Sequence, residues 1–408
     1  MTMPVFAVAG RRVAGLDGIR GLAALYVVLN HTYLRSFPGY PAITAPWWAG
    51  WLIYGRFAVD VFMVVSGFSL AVSPARSGWR LRGGLTRFAS RRAWRILPAY
   101  WAALTFSLLV AWLARPQPGG GVPDGRSVVV YGLLVQDAFD ASSPNRAFWT
   151  IAIEAQLYVG FPLLLLLSRR FGPVAMFAAV VGVVLGISLA APHAPVMEAL
   201  MRRFTPEFAV LFATGVLAAR MVSAGERTRA RPWPLWGFAA ATPVAAIIAL
   251  KGSVWTIGEH LFWVELALAP ALGCLLAGLA TGRPAGLIRV LDSRALRRVG
   301  SFSYSLYLTH APIVVVVYFG LVPGVIGPGI PAFLLSLAVG VPVAIGFAWL
   351  FAMLFDIPFQ RYRSRRELRA AASRVAGLWR SKASKPAPEA DGRDFDNVLV
   401  DQRGVERS

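Results

Sequence analysis

Ten runs of about 20 mostly apolar residues constrain this chain more than any other feature, because each is long enough to carry a helix through ~30 Å of hydrocarbon. They fall at 17–35, 48–73, 97–114, 148–167, 173–191, 204–221, 233–250, 260–281, 301–319 and 331–355. Only 15% of the 408 residues are charged, against about 25% in ordinary soluble domains, and 57% are hydrophobic. So few charges cannot solvate the surface of a soluble globule. The expected fold is all-α: a polytopic membrane protein with about ten transmembrane helices around a central pore.

The formal net charge of +21 has the size of a nucleic-acid signal. The basic residues, however, lie mainly between the apolar runs, so the partner they imply is the lipid bilayer and no nucleic acid is expected. Segment 75–96 holds Arg76, Arg80, Arg82, Arg87, Arg91, Arg92 and Arg95 and no acid. Arg169 and Arg170 follow the fourth run, Arg220, Arg227, Arg229 and Arg231 the sixth, and Arg283, Arg289, Arg294, Arg297 and Arg298 the eighth. The alternate loops 36–47 and 320–330 carry no charge at all. This alternation places both termini in the cytoplasm.

Three regions are expected. Residues 1–15 form a cytoplasmic N-terminus with no signal-peptide pattern. Residues 16–360 form the membrane domain. Residues 361–408 form a basic juxtamembrane segment, helical over 361–380, followed by a disordered tail. Within the long loop 115–147, residues 128–135 are apolar but too short to span, and read as an interfacial or re-entrant piece. Cys274 is the single cysteine, so no intrachain disulfide forms. His31, His193, His260 and His310 stand too far apart for a zinc spacing, and no metal is expected.

Ionisable residues inside apolar runs are costly and are functional candidates for that reason. The first run carries Asp17, Arg20 and His31. Eleven residues separate Arg20 from His31, a rotation of ~1100° or three turns plus ~20°, so the two share a helix face about 16 Å apart along the axis. A long ligand with an anionic head at Arg20 and a reactive tip at His31 would engage both. The alternative is a snorkelling arginine and a hydrogen-bonded interfacial histidine. In the second run Arg56 and Asp60 stand at i,i+4 and are expected to neutralise each other. Glu154 in the fourth run is placed at the depth of His31, where it would orient the imidazole as an acid/base partner. The ninth run offers Ser303, Tyr307 and His310 as pore-lining or oxyanion groups, with helix packing as the alternative. Glu207 and Glu265 are expected to serve packing or a cavity, and Asp356 to end a helix.

These residues stand in ordered strings. Leu16-Asp17-Gly18-Ile19-Arg20-Gly21 leading to His31 resembles the opening of the acyltransferase-3 family of membrane-bound acyltransferases, whose signature is an Arg, ten residues, then a His. Val59-Asp60-Val61-Phe62 with Val65-Ser66-Gly67-Phe68 resembles the second family motif. Arg91-Arg92-Ala93-Trp94-Arg95 resembles the basic loop motif, and Trp149-Thr150-Ile151-Ala152-Ile153-Glu154 the fourth. Ser303-Tyr304-Ser305-Leu306-Tyr307-Leu308-Thr309-His310 and Phe355-Asp356-Ile357-Pro358 resemble the last two. Ala155 replaces the second acid of a usual Glu-Glu pair, Thr309 stands where an aromatic is frequent, and Asp356 replaces a commoner Glu.

The resemblance implies O-acylation of an extracytoplasmic carbohydrate or glycolipid in a bacterial inner membrane. The donor it implies is cytoplasmic acyl-CoA, with acetyl-CoA expected, as a substrate; no bound cofactor is expected. Arg92 and Arg95 match the family's Arg-x-x-Arg and, with Arg20, would bind the CoA phosphates. His31 would be the general base, Glu154 its partner, and Asp17, Asp60, Ser303, Tyr307 and His310 would line the pore or hold the oxyanion. A transporter or flippase without chemistry is the competing class, since polar groups in a bundle also fit a solute path.

Overall fold

The computed structural model describes residues 13–322, 327–362 and Glu367. The basic segment 361–380 and the tail 381–408 lie almost wholly outside the described residues, as does most of 1–15. Every regular element described is helical. The first half of the chain forms α1 (Leu16–Ser36), α2 (Phe57–Ala75), α3 (Gly84–Leu113), α4 (Gly125–Gly132), α5 (Trp149–Phe171), α6 (Pro173–Ala190), α7 (Pro195–Phe204) and α8 (Glu207–Ala218). There follow α9 (Glu226–Arg229), α10 (Trp233–Ser253), α11 (Leu261–Ala280), α12 (Ala285–Leu291), α13 (Arg294–Ser301), α14 (Ser303–Leu321), α15 (Ile330–Leu335) and α16 (Val341–Phe355).

Local chemistry sets the boundaries. Pro173 and Pro195 open α6 and α7, where the missing N–H has no helical partner to lose. Asp124 caps α4, its Oδ1 accepting from the Ser127 N–H at 2.8 Å. This short helix accounts for the apolar stretch 128–135, which does not span.

Each of the ten apolar runs holds a helix. Among the described residues, eight helices are long and apolar enough to cross a bilayer, or nine if α7 and the segment Glu207–Ser223, bent by 59°, count as one span. The break falls at Thr205-Pro206, where Thr205 takes a positive φ and Pro206 lacks an N–H for the ladder. Helix α1 is equally long, at 21 residues, but is not in that set, because Asp17, Arg20 and Arg35 lower its apolar character. The second run differs from expectation at its start: residues Gly50–Tyr54 form a 3-10 turn and the long helix begins at Phe57.

The bundle turns apolar side chains outward, which water would not tolerate and lipid does. Val174, Val183 and Leu189 of α6 are exposed, as are Leu235, Phe238 and Leu250 of α10. Only Met176 and Val184 of α6, and Gly237 and Val244 of α10, are buried. The protein is a multi-pass membrane protein.

Small residues bring the inner helices together. A β-carbon on Gly67 of α2 would sit 2.1 Å from the Phe212 carbonyl oxygen of α8, and one on Gly215 would sit 2.0 Å from the Val64 carbonyl oxygen. The same device seats α1 on α13 and its approach: a β-carbon on Gly18 would meet the Leu291 carbonyl oxygen at 1.9 Å, and one on Gly300 the Asp17 carbonyl oxygen at 1.9 Å. Backbone cannot retreat cheaply in a packed bundle. Gly67→Ala and Gly215→Ala are each expected to cost ~1–3 kcal/mol of stability. Gly182→Ala, with nothing within 4 Å of the added carbon, should leave the detergent melting temperature unchanged. Equal melting temperatures for all three variants would contradict this packing.

Candidate active site

Helix α1 starts from Gly15 in the left-handed region (φ 85), and the Gly15 N–H donates to Asp292 Oδ1 at 3.0 Å. Its first turns present Asp17 and Arg20. Arg20 Nη1 donates to Asp17 Oδ1 at 3.3 Å and Nη2 to Ser69 Oγ of α2 at 2.6 Å. Helix α3 brings its basic start to the same end. Arg92 lies within electrostatic range of Arg20, Arg95, Glu154 and Tyr158. Its Nε is buried and has no hydrogen-bond partner among the described residues. A buried guanidinium N–H without an acceptor is unfavourable, and an anionic oxygen would satisfy it. The structure thus gathers Arg20, Arg92 and Arg95 at one end of the bundle.

His31 stands eleven residues along the same helix, about 16 Å away. Its Nδ1 lies 2.9 Å from the Val27 carbonyl oxygen and 3.3 Å from His310 Nε2. His310 is buried, and its Nδ1 lies 2.7 Å from the Tyr307 carbonyl oxygen and 3.1 Å from that of Leu306. One pair of tautomers satisfies all four contacts. His310 carries its proton on Nδ1 and donates to backbone. Its Nε2 accepts from His31 Nδ1–H, which Val27 shares. His31 Nε2 keeps its lone pair and bonds to nothing among the described residues. The two rings meet edge to face, with centroids 4.8 Å apart. A base must be held in one orientation with one nitrogen free, and this pair does so.

Polar clamps fix the surroundings. The Tyr307 hydroxyl lies 2.8 Å from Thr150 Oγ1, which also lies 3.2 Å from the Ala147 carbonyl oxygen. Asn145 Nδ2 donates to the Leu308 carbonyl at 2.8 Å and to Ser107 Oγ of α3 at 3.2 Å, tying α14 to α3 through the loop before α5.

Several expected pairings are replaced. Glu154 accepts from Ser66 Oγ at 2.8 Å and from the Tyr158 hydroxyl, not from His31. Thr150 is level with Tyr307, so Glu154, one turn further on, lies about 6 Å nearer the arginine end. The partner of His31 is His310 instead. Ser303 donates to the Gly300 carbonyl at 3.0 Å, seven residues and about 10 Å before His310, too far for the imidazole. Asp356 does end α16, and it also accepts from Ser305 Oγ at 3.2 Å.

The Arg56–Asp60 pair is likewise not made. Arg56 Nε donates to Glu265 Oε1 at 2.5 Å, and Nη2 lies 3.3 Å from Glu207 Oε1. Side chains on a helix lean toward its N-terminus, so Arg56, just before α2, points past the helix start toward α8 and α11. Its guanidinium also stacks 4.9 Å from the Trp149 ring centre. Asp60 is fully buried, neither oxygen has a hydrogen-bond partner among the described residues, and it faces this same cluster electrostatically. Glu207 and Glu265 are therefore the ion-pair partners of Arg56, brought in from 151 and 209 residues away.

The multi-pass bundle thus carries a pair of imidazoles and, about 16 Å away along α1, a group of guanidiniums. The chain belongs to the acyltransferase-3 family, whose sequence model, described as an acyltransferase domain, matches residues 13–353. It is 27% identical to the acyltransferase MdmB of Streptomyces mycarofaciens over 327 residues, covering 74% of this chain and 79% of that protein. It is 23% identical to the peptidoglycan O-acetyltransferase OatA of Listeria monocytogenes over 331 residues, 74% of this chain and 49% of that one. It is 24% identical to the putative peptidoglycan O-acetyltransferase YrhL of Bacillus subtilis over 335 residues, 75% and 49% respectively. The chain thus spans about half the length of the latter two relatives. No solved structure matches it. Family membership makes the protein an acyltransferase and displaces the transporter or flippase reading.

Arg56→Met would leave three acids facing one another without their shared cation. Breaking a buried pair in this way is expected to cost about 3 kcal/mol, read as a lowered melting temperature in detergent. An unchanged melting temperature would show that the cluster does not hold α2, α8 and α11 together.

Proposed function

We propose that this protein transfers an acyl group, acetyl in the first instance, from cytoplasmic acyl-CoA to a hydroxyl of an extracytoplasmic carbohydrate or glycolipid at the bacterial inner membrane. The observation that carries this reading is the free Nε2 of His31, held by His310 on the helix face that bears Arg20 about 16 Å away. Family membership supplies the reaction class, and the peptidoglycan named in two relatives supports a carbohydrate acceptor.

In this reading both termini and the arginine end face the cytoplasm. Arg20, Arg92 and Arg95 hold the CoA phosphates, with the orphaned Arg92 Nε among the donors. The pantetheine arm runs along α1 through a tunnel and delivers the thioester to His31. His31 Nε2 takes the proton of the acceptor hydroxyl as its oxygen attacks the thioester carbonyl carbon. The tetrahedral oxyanion accepts a hydrogen bond from the Tyr307 hydroxyl, which stands 2.8 Å from Thr150 Oγ1. The C–S bond then breaks, the ester remains on the acceptor, and the CoA thiolate takes the proton back from the His31 imidazolium. His310 acts as a positioning residue, fixing the His31 tautomer. Glu154, bonded to Ser66 and Tyr158, orients polar groups nearer the arginine end and completes the proposed catalytic set. Asp17 aligns Arg20, and Asp60 lines the interior beside Arg56.

His31→Ala in folded, membrane-inserted protein is expected to lower acyl transfer by about 10²–10⁴-fold. Transfer at the native rate would remove His31 from the mechanism. Arg92→Gln is expected to weaken acyl-CoA binding by about tenfold, as loss of a charge-assisted bond does. Native affinity in that variant would refute the phosphate-binding role. CoA release coupled to label transfer in purified vesicles reads both.

A further inference from the structure

Of the cations at the histidine end of the bundle, Arg35 and Arg146 act on His31 electrostatically, and the mechanism above uses neither. Arg35 follows His31 by four residues on α1, so it stands one turn further out on nearly the same face, about 6 Å along the axis. It is half-buried. Arg146 comes from the loop before α5 and is exposed. Its position is not loose. Its neighbour Asn145 is buried and clamped to the Leu308 carbonyl, two residues before His310, and Ala147 and Phe148 on its other side are buried. The Arg146 guanidinium reaches over the turn at Gly119, with Nη2 3.6 Å from where a β-carbon there would stand. Arg35 and Arg146 lie within electrostatic range of each other and of the His31 imidazole.

Neither guanidinium forms an ion pair or hydrogen bond with any described residue. The acids of the neighbouring loops are engaged elsewhere. Asp124 caps α4, Asp137 accepts from Gln156 Nε2 at 3.0 Å, and Asp140 pairs with Arg203 at 3.3 Å. Glu198 pairs with Arg202 at 2.9 Å, and Glu259 lies 3.7 Å from His260. Another cation of this end, Arg115, lies over the Phe319 ring at 3.9 Å. Two like charges converging beside an imidazole without a counter-charge repel one another, and a bound anion removes that repulsion.

We propose that Arg35 and Arg146 form an anion site for the acceptor, and that the acceptor is an acidic glycan, one whose reacting hydroxyl is carried by a sugar bearing a carboxylate. The carboxylate rests between the two guanidiniums, and its placement brings a neighbouring hydroxyl to His31 Nε2. This deepens the function proposed above and rests on it. It adds a charge requirement that a neutral sugar would not meet.

The test uses the full-length protein in phosphatidylcholine nanodiscs, whose headgroups carry no net charge to compete. The probes are methyl galacturonoside and its uncharged methyl ester, which share every ring hydroxyl. Binding of each is measured by calorimetry. The wild-type protein is expected to bind the acid about tenfold or more tightly than the ester, and less so as salt is raised. Arg35→Gln and Arg146→Gln should each lose that preference. Arg35→Lys and Arg146→Lys should keep part of it, which separates loss of charge from loss of fold. Equal binding of acid and ester, no binding of either, or a preference that survives both glutamine variants would overturn the proposal. CoA release from acyl-CoA is followed in the same nanodiscs. Its absence would sink the acyl-transfer reading without touching the binding result, and its presence with no charge preference would sink only the acidic-acceptor site.

Discussion

A polar group inside hydrocarbon must find a partner, and α1 carries more of them than any helix around it could leave unanswered. Arg20 takes Asp17 and Ser69, Asn30 donates to the Leu52 carbonyl at 2.7 Å, Thr32 and Ser36 bond back to their own helix, and His31 leans on Val27 and His310. Helices α2 and α14 pack beside α1 and supply several of these partners. Glycines at 18 and 21 let α1 touch the backbone around α12 and α13 directly. Among the helices of 18 residues or more, α1 is the least apolar, and its rigid backbone holds Arg20 and His31 at a fixed separation.

Much of this was legible in the sequence for a physical reason. A bilayer demands long apolar helices with satisfied backbones, so counting apolar runs locates helices well. The i,i+11 arithmetic on a single helix is equally secure, because helix geometry is rigid over 16 Å. Gly67 and Gly18 belonged to recognisable strings, and the structure shows their purpose as points of backbone contact.

What the sequence did not carry were contacts between helices. Depth in the bilayer is uncertain by a turn when span edges are uncertain by a few residues. One turn was enough to set Glu154 beside His31 on paper and beside Ser66 and Tyr158 in the fold. The charge pairing of Arg56 with Glu207 and Glu265 joins three helices across more than 150 residues, and no local spacing reports it. Local spacing pointed instead to Asp60, four residues away. His310 was visible as a polar group in its motif. Its role as the partner that fixes the His31 tautomer required knowing that α14 runs beside α1.

The proposed function rests on one long substrate reaching from the guanidiniums at one end to the imidazole at the other. A cryo-electron microscopy structure with a non-hydrolysable acyl-CoA analogue tests this most directly. The expected result has the nucleotide phosphates on Arg92, Arg95 and Arg20 and the pantetheine arm lying along α1. Its acyl carbon should stand within about 3–6 Å of His31 Nε2, close enough for a hydroxyl between them. An analogue whose acyl end stays among the arginines, or a His31 that faces lipid with the analogue bound, would contradict it.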